Sequence, residues 1–276
     1  MNFIYKIAPL VENTSLLHLL IEVDNHDLYF LIYSQSPFQL HGYYQANMPD
    51  GYSHKADMAA LEAFVQSDPY LGGKLASVKI CYNSNASTLI PASFFKVDDK
   101  AAVLNLLCGV DFPTYAFHEA IPNSDIILAY RVPCTLYNCM QILYPKNTFM
   151  HSSSLQLSNN LPEGNVLQCM VYGKYIKIFL HSQGELLLAT YFYYNLPQEV
   201  SYYLLNVCQQ YKVDVADVKL MLSGLVEVSS NLYDDVYKYF LQIAILPTPS
   251  YVLMAPTMQA VQPCFYNTLT TLALCE

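Results

Sequence analysis

Apolar and polar residues alternate along residues 175–182, where Ile176, Ile178 and Leu180 lie between bulkier or more polar neighbours. This period of two is typical of a β-strand whose two faces meet different surroundings. An apolar run at 166–171 precedes this segment, and a third apolar segment follows it closely. The region therefore predicts three consecutive strands joined by tight turns.

The same pattern occurs 148 positions earlier, where residues 23–44 lie over residues 171–192 without a gap. The identical pairs are Val23/Val171, Ser34/Ser182, Gln35/Gln183, Leu40/Leu188 and Tyr43/Tyr191. These identities are few, but the elements also agree, since each copy predicts three strands, a helix and a fourth strand. We therefore expect two domains of similar topology, in which the second strand pairs antiparallel with the first and the third.

Helical spacing follows the third strand of each copy. The apolar positions with this spacing are Met58, Leu61 and Val65 in the first copy and Val200, Leu204, Val207 and Tyr211 in the second. Further helices are expected at 98–108, 134–143, 153–160, 232–240 and 264–275, and further strands at 75–82, 115–120, 126–132, 147–151, 217–224 and 241–246. The chain should therefore be an α/β protein with mixed sheets flanked by helices.

A cluster of turn-forming residues at 161–164 separates the two copies. Such a polar segment rich in Pro and Gly is typical of a domain boundary. We predict a first domain at 1–161, with an insertion at about 83–125, and a second domain at 162–276.

The composition favours a folded protein and argues against nucleic acid as a ligand. Hydrophobic residues make up 54% of the chain and charged residues 13%, with a net charge of −9. Thirteen Lys and Arg residues, without a basic run, are poorly suited to hold phosphate backbones. We expect no direct binding to nucleic acid.

The segment 239–275 contains no charged residue, which raises the question of a membrane span. Four prolines interrupt it, and no apolar run approaches the roughly 20 residues that a spanning helix requires. The N-terminal apolar stretch is also too short for a signal peptide. We expect a cytoplasmic protein that is not embedded in a membrane, with a buried final helix.

Cysteine and histidine residues show no catalytic or metal-binding spacing. The eight cysteines include no C-x-x-C pair, and several lie in apolar runs, which favours buried thiols over disulfides or zinc. His118 and Glu119 are neighbours on a predicted strand, so their side chains should point to opposite faces. The serines at 152–154 precede an apolar run, where helix capping by Ser152 or Ser153 is favoured over a nucleophilic role. We expect no catalytic residue and no metal.

The order of three antiparallel strands, helix, strand, helix, strand and helix, present twice with an insertion in the first copy, resembles the actin-like fold. That fold pairs two ribonuclease H-like domains, and the insertion resembles that of actin-like cell-division and pilus-assembly proteins. The whole chain resembles a Bacteroidetes-type bacterial family of unknown function with an actin-like ATPase fold. The strings that carry this likeness are "TLIPASFF" (88–95), "YRVPCTLYNCM" (130–140), "FMHSSSLQL" (149–157) and the terminal "TLALCE".

The resemblance implies phosphate-binding turns with an Asp-x-Gly-type sequence after the first strand of each domain, and a Gly-Gly-type element after the fourth strand of the second. The turn of the first domain has Asp24 and Asn25, but His26 occupies the place expected for glycine. The turn of the second has Gly173 and Lys174 without a carboxylate, and its later element has Ser223 and a single glycine, Gly224. Gly173 is interpreted as the left-handed bend of a hairpin.

Incomplete turns make ATP hydrolysis unfavourable, since paired carboxylates position Mg²⁺ and the attacking water. The first hypothesis is a non-catalytic actin-like protein without a cofactor, which acts in the cytoplasm by binding a protein partner of unknown identity. The tyrosine-rich segments "TYFYYN" and "SYYLL" are candidate contact surfaces for that partner. The alternative is an ATP-binding or ATP-hydrolysing actin-like protein that uses Mg²⁺, with a divergent nucleotide site formed by Asp24, Asn25, Gly173, Lys174, Ser223 and Gly224.

Overall fold

A computed structural model of the chain describes residues 2–11, 13–24, 26–47, 55–110, 112–158 and 163–275. The chain divides into two compact units. Unit 1 comprises residues 1–158, 250–260 and 271–276, and unit 2 comprises residues 159–249 and 261–270. The predicted boundary near 161 falls outside the described residues, and the predicted division into two domains stays a prediction.

The strands of unit 1 are β1 (Asn2–Ile7), β2 (His18–Val23), β3 (Asp27–Gln35), β4 (Phe38–Asn47), β5 (Ser77–Tyr82), β6 (Ser87–Pro91), β7 (Thr114–Ala120), β8 (Ile126–Pro133), β9 (Thr148–His151) and the later β15 (Leu253–Met254). The strands of unit 2 are β10 (Val166–Val171), β11 (Tyr175–Ser182), β12 (Glu185–Tyr193), β13 (Lys219–Gly224) and β14 (Gln242–Ile245). The helices are α1 (Lys55–Ser67), α2 (Lys100–Cys108), α3 (Cys134–Leu143), α4 (Ser152–Ser158), α5 (Pro197–Gln210), α6 (Asn231–Tyr237) and α7 (Pro263–Leu274). Short 3₁₀ segments lie at Thr14–Leu16, Ala92–Phe94, Val97–Asp99 and Pro256–Ala260.

The main sheet of unit 1 has seven strands in the order β1-β4-β3-β2-β5-β9, and β15 also pairs with β4. β3 is antiparallel to β2 and β4, whereas β5 is parallel to β2 and β9. β2 and most of β3 are buried, which agrees with their nearly continuous apolar sequences. This sheet is the centre of the unit 1 core.

The predicted insertion at about 83–125 contributes β6, α2 and β7, and these two strands pair with β8, which follows it, in a separate sheet of order β6-β8-β7. Its helix α2 buries Leu104 and lies against β7 and β8. Arg131 on β8, the single arginine of the chain, is buried and donates to the carbonyls of Gly109, at 2.5 Å, and Cys108, at 2.9 Å. A cation bound to the last carbonyls of a helix satisfies groups that would otherwise lack partners, and so fixes α2 on the sheet.

The sheet of unit 2 has five strands in the order β12-β11-β10-β13-β14. β11 is antiparallel to β10 and β12, and β13 is parallel to β10 and β14. Its core contains Ile176, Ile178 and Leu180, as the period-two pattern predicts, with Val200, Leu204 and Val207 of α5 against them. The predicted pairing of the second strand with the first and third is therefore confirmed in both units.

Most predicted elements are confirmed, and α3 has the predicted bounds. The sequence pattern does not predict β1, β6 or β15. In the final helix, the side chains of Leu269, Leu272 and Ala273 are buried as expected. None of the helices in the described ranges is both long and apolar enough to cross a bilayer.

Candidate functional site

The turn between β10 and β11 contains Gly173 and Lys174, two residues of the predicted nucleotide site. The N–H of Tyr172 donates to the carbonyl of Tyr175 at 2.9 Å, which closes a two-residue turn. Tyr194 also binds the backbone of this turn. Its hydroxyl donates to the Tyr172 carbonyl at 2.9 Å, and its N–H donates to the Lys174 carbonyl at 3.1 Å. Hydrogen bonds within unit 2 therefore fix the backbone of this turn.

The prediction that Gly173 makes a left-handed bend is wrong. Among the described residues, the glycines with positive φ are Gly109, Gly164, Gly184 and Gly224, and Gly173 is not one of them. The rings of Tyr172 and Tyr175 stack 4.6 Å apart on either side of the turn. The turn therefore closes without a left-handed residue at Gly173 or Lys174.

Ser223 and Gly224 end β13, which runs parallel to β10. Gly224 is paired with Val171 and has a φ of +83°. A Cβ at Gly224 would overlap the carbonyl oxygen of Val171 and lie 3.0 Å from its carbonyl carbon and nitrogen. Only glycine tolerates both the left-handed φ and this close approach. Packing of the backbone therefore explains why position 224 is glycine, without a role in phosphate binding. Ser223 is buried and accepts from the Thr268 hydroxyl at 3.2 Å.

The fold of unit 2 brings four predicted residues to one end of its sheet. Gly173 and Lys174 follow β10, and Ser223 and Gly224 end the parallel strand beside it. The carboxyl ends of parallel strands are where open α/β sheets bind ligands. Asp24 belongs to unit 1, and Asn25 lies outside the described residues.

Asp24 follows β2 and is buried. Its Oδ1 accepts from the backbone N–H groups of His26 and Asp27, both at 2.6 Å. Burial raises the pKa of Asp24 to about 7, and the carboxylates of Asp27 and Glu22 also act to raise it, against the lowering effect of the two hydrogen bonds. This carboxylate therefore shapes its own turn, and His26 takes part through its N–H.

The two carboxylates near Asp24 also bind groups of unit 1. Glu22 accepts from the Asn83 amide at 3.0 Å, and Asp27 accepts from the Asn47 amide at 3.2 Å. In the described ranges, no three His, Cys, Asp or Glu side chains are grouped so that they could hold a metal ion. Glu22 and Asp27 thus accept hydrogen bonds from side chains of unit 1.

A second polar cluster, Glu119 with Tyr130, His151 and Ser154, is not predicted by the sequence. Glu119 Oε1 accepts from the Tyr130 hydroxyl at 2.6 Å and the His151 N–H at 2.9 Å, while Oε2 accepts from the Ser154 hydroxyl. His118 instead lies against the ring of Phe95, so the two neighbours diverge as predicted. The cluster connects the insertion to the start of α4, which is a structural role.

The residue that caps α4 differs from the prediction. His151 Nδ1 accepts the N–H of Ser153 at 3.1 Å, and Nε2 lies 2.9 Å from the Ser84 carbonyl. The prediction of a serine cap is wrong, because the helix begins at Ser152 and the residue before it is a buried histidine. A neutral imidazole with Nδ1 as acceptor and Nε2 as donor satisfies both contacts.

The eight cysteines all lie in the described part of the chain, and no disulfide joins them. Burial raises the pKa of Cys169 to about 12 and that of Cys139 and Cys208 to about 11. Such thiols are poor nucleophiles at neutral pH, because the thiolate is the reactive form.

Comparison with solved structures confirms the predicted fold. A Bacteroides thetaiotaomicron VPI-5482 protein, described as having an actin-like ATPase fold and unknown function, is similar with a TM-score of 0.73 and 18% identity, over 95% of this chain and 97% of that one. A chain of the PilM–PilN type IV pilus biogenesis complex is similar with a TM-score of 0.61 and 12% identity, over 96% of this chain and 98% of that one. A search of curated proteins found no match.

At these identities the likeness shows the actin-like fold alone. A family model described as "Protein of unknown function (DUF3822)" matches residues 10–243, which is most of the chain. The chain therefore belongs to this family.

Proposed function

We propose that this chain is a non-catalytic actin-like protein of the cytoplasm, which acts by binding a protein partner and needs no cofactor. The observation that carries the proposal is the turn at Gly173 and Lys174. It contains no carboxylate, and its backbone is held by Tyr175 and Tyr194. A turn in this state lacks the group that would position Mg²⁺ or an attacking water.

The corresponding turn of unit 1 supports the same conclusion. Asp24 is a carboxylate at the expected place, but its Oδ1 already accepts two backbone hydrogen bonds and its pKa is raised to about 7. A carboxyl group that is partly protonated at neutral pH is a weak ligand for a divalent cation.

The surface of the insertion supports a protein partner. Leu106 is 85% exposed and Phe94 is 79% exposed, and Leu107 and Val110 are exposed near them in sequence. Residues 101–110 contain no charged residue, although a helix that faces water alone usually carries several. Exposed apolar surface of this kind is typical of protein-binding sites. The similar pilus chain is also found in a complex, that of PilM with PilN.

Calorimetric titration with Mg-ATP tests the non-catalytic part of the proposal. We expect no binding tighter than about 1 mM and no hydrolysis above background. A micromolar dissociation constant that Lys174→Ala abolishes would refute the proposal and support the alternative.

That alternative, an ATP-binding or ATP-hydrolysing actin-like protein with a divergent nucleotide site, is favoured by one observation. Gly173 and the exposed Lys174 lie at the carboxyl end of β10, and Ser223 and Gly224 lie at the carboxyl end of the parallel strand β13. An ammonium group at this edge could meet a phosphate.

A further inference from the structure

β12 is the terminal strand of the sheet of unit 2, and in the described part of the chain no strand pairs with its outer edge. Its counterpart in unit 1 is β4, the third strand of the same three-strand arrangement. β1 pairs with β4 from Tyr43 to Asn47, and β15 pairs with it at Gln39 and Leu40. Unit 1 therefore covers almost the whole outer edge of β4 with its own chain, whereas no described strand covers β12.

β12 has a bulge at Leu187, but from Leu188 to Tyr193 its edge lacks the features that usually prevent strand pairing. It has nine residues, contains no proline, and has one charged residue, Glu185, at its first position. Its register shift lies opposite Leu180 and His181, so the strand is regular from Leu188 onward. Natural edge strands are commonly protected by charged side chains, proline or bulges, and an apolar edge segment without them favours pairing with another strand.

We propose that β12 pairs antiparallel with β12 of a second copy of this chain, about a two-fold axis at Thr190. This register places Leu188 opposite Phe192 of the second copy. Both side chains pack against the core of unit 2, so the pairing would continue the same apolar face across the dimer.

Charge favours a second copy at this edge over other parts of the surface. The chain has a net charge of −9, so two copies repel each other over most of their surfaces. Residues 186–198 contain no charged residue, and in the proposed register Glu185 does not meet its own copy. The edge of β12 is thus a place where self-association carries little electrostatic cost.

Exposed side chains beside the edge extend the contact. The ring of Phe192 stacks on Tyr203 of α5 at 4.5 Å, and the neighbouring Tyr202 is 63% exposed. Leu196, between β12 and α5, is also exposed. Tyrosine and leucine at these positions would pack across the two-fold axis, and tyrosine is enriched at the centres of interfaces. The inference uses the tyrosine-rich segments that the sequence suggested as contact surfaces, but it uses neither the predicted nucleotide turns nor the insertion surface on which the proposed function rests.

Sedimentation equilibrium of the full chain over a concentration series tests the proposal. We expect a dimer, and we expect Thr190→Lys, which places two like charges on the axis, to raise its dissociation constant about tenfold or more. The matched control is Leu241→Lys, an 80% exposed position next to β14 at the opposite edge of the same sheet, which should leave the dimer unchanged. Circular dichroism and thermal melting check that each variant is folded.

A second variant covers the case in which Thr190→Lys fails to fold. Tyr202→Lys changes an exposed helical residue, and it should also weaken the dimer while the melting temperature is kept. A full chain that stays monomeric over the whole series overturns the proposal. A dimer that is unaffected by folded Thr190→Lys, or by Tyr202→Lys where Thr190→Lys is unfolded, also overturns it, as does a monomer that binds a strand of a different protein at β12.

Discussion

The main sheets of the two units share one plan. Five strands of unit 1 lie in the order β4-β3-β2-β5-β9, and the five strands of unit 2 lie in the order β12-β11-β10-β13-β14. β2 therefore corresponds to β10, β3 to β11 and β4 to β12. The pair β3–β4 has a register shift between Ile32 and Tyr33, and the pair β11–β12 has one between Leu180 and His181. These are the same positions at the offset of 148. This agreement supports the proposal that the two halves are copies of one domain.

The units differ at the edges and at the strand ends. In unit 1, β1 and β15 pair with the outer edge of β4, and a separate three-stranded sheet is present. The described residues of unit 2 contain no strand beside β12 and no second sheet. Val23 of β2 pairs with Tyr82, whereas the corresponding Val171 pairs with Gly224. The interior of each sheet is constrained by packing on both faces, so the differences accumulate where the backbone is less constrained.

The largest effect on stability is expected for Gly224→Ala, at the position of unit 2 that corresponds to Tyr82 of unit 1 in strand pairing. The new Cβ would overlap the Val171 carbonyl and would also be strained at a φ of +83°. We expect the free energy of unfolding in urea to fall by about 3 kcal/mol or more.

The matched control is Gly184→Ala in the same unit, at a φ of +81° with no heavy atom within 4 Å of the new Cβ. It should cost only about 1 kcal/mol, which is the backbone strain alone. Equal losses for the two variants would contradict the close approach of β13 to β10.

The second effect concerns the insertion, which belongs to unit 1. Glu119→Ala removes the acceptor for the Tyr130 hydroxyl, the His151 N–H and the Ser154 hydroxyl. We expect a loss of about 2 kcal/mol, because the buried Tyr130 hydroxyl and the buried His151 N–H then lose the acceptor that Glu119 supplies. Chemical denaturation measures this loss, and hydrogen exchange should show it in β7 and β8 first.

Glu119→Gln is the control for that variant. Its carbonyl still accepts, and the Ser154 hydroxyl can accept from the new amide while it donates to the His151 carbonyl, at 2.8 Å in this structure. If Gln destabilised the chain as much as Ala does, the hydrogen-bonding role of Glu119 would be wrong.

The third prediction concerns the turn after the strand β2, which has the carboxylate of Asp24, whereas the corresponding turn of unit 2 has none. The pKa of Asp24 is raised to about 7 in the folded chain, so the folded state binds this proton more tightly than the unfolded state does. The stability from this group is full below about pH 4 and is lost as the pH rises through 7. Asp24→Asn keeps an oxygen acceptor for His26 and Asp27, and should remove this part of the pH dependence.

Thermal or urea unfolding from about pH 5 to about pH 8 measures the difference between Asp24→Asn and the unaltered chain. The unaltered chain should lose stability over this range as its carboxyl group ionises, whereas the amide does not titrate. The variant should therefore become relatively more stable as the pH rises. A constant difference over the range would show that Asp24 does not titrate there.

The smallest effect on stability is expected for Leu106→Lys in the insertion. Because Leu106 is 85% exposed, the free energy of unfolding should change by less than about 0.5 kcal/mol. Binding of a protein partner in pull-down experiments should be lost, whereas Val228→Lys, at an exposed position of unit 2, should retain it. Equal retention by both variants would remove the insertion surface from the proposed function.

Much of the fold is predictable because the apolar pattern is local. The bounds of α3 follow from helical spacing after Pro133, and β11 follows from its alternation. The pattern misses β1, β6 and β15 for one reason: they are short or lie at sheet edges, where backbone pairing to a neighbour holds the strand and its own side chains show little pattern.

For the candidate site as well, the sequence predicts some features and the tertiary structure decides the others. The residue types could be read directly from the chain, namely that the unit 2 turn has no carboxylate and that a single glycine, Gly224, lies at the end of β13. The reasons for these residues came from the fold: Gly224 is required by the backbone of a distant strand, at Val171, and Glu119 meets Ser154 from 35 positions away. Side-chain periodicity encodes which face is buried, but the atom that a residue meets depends on how distant strands come together.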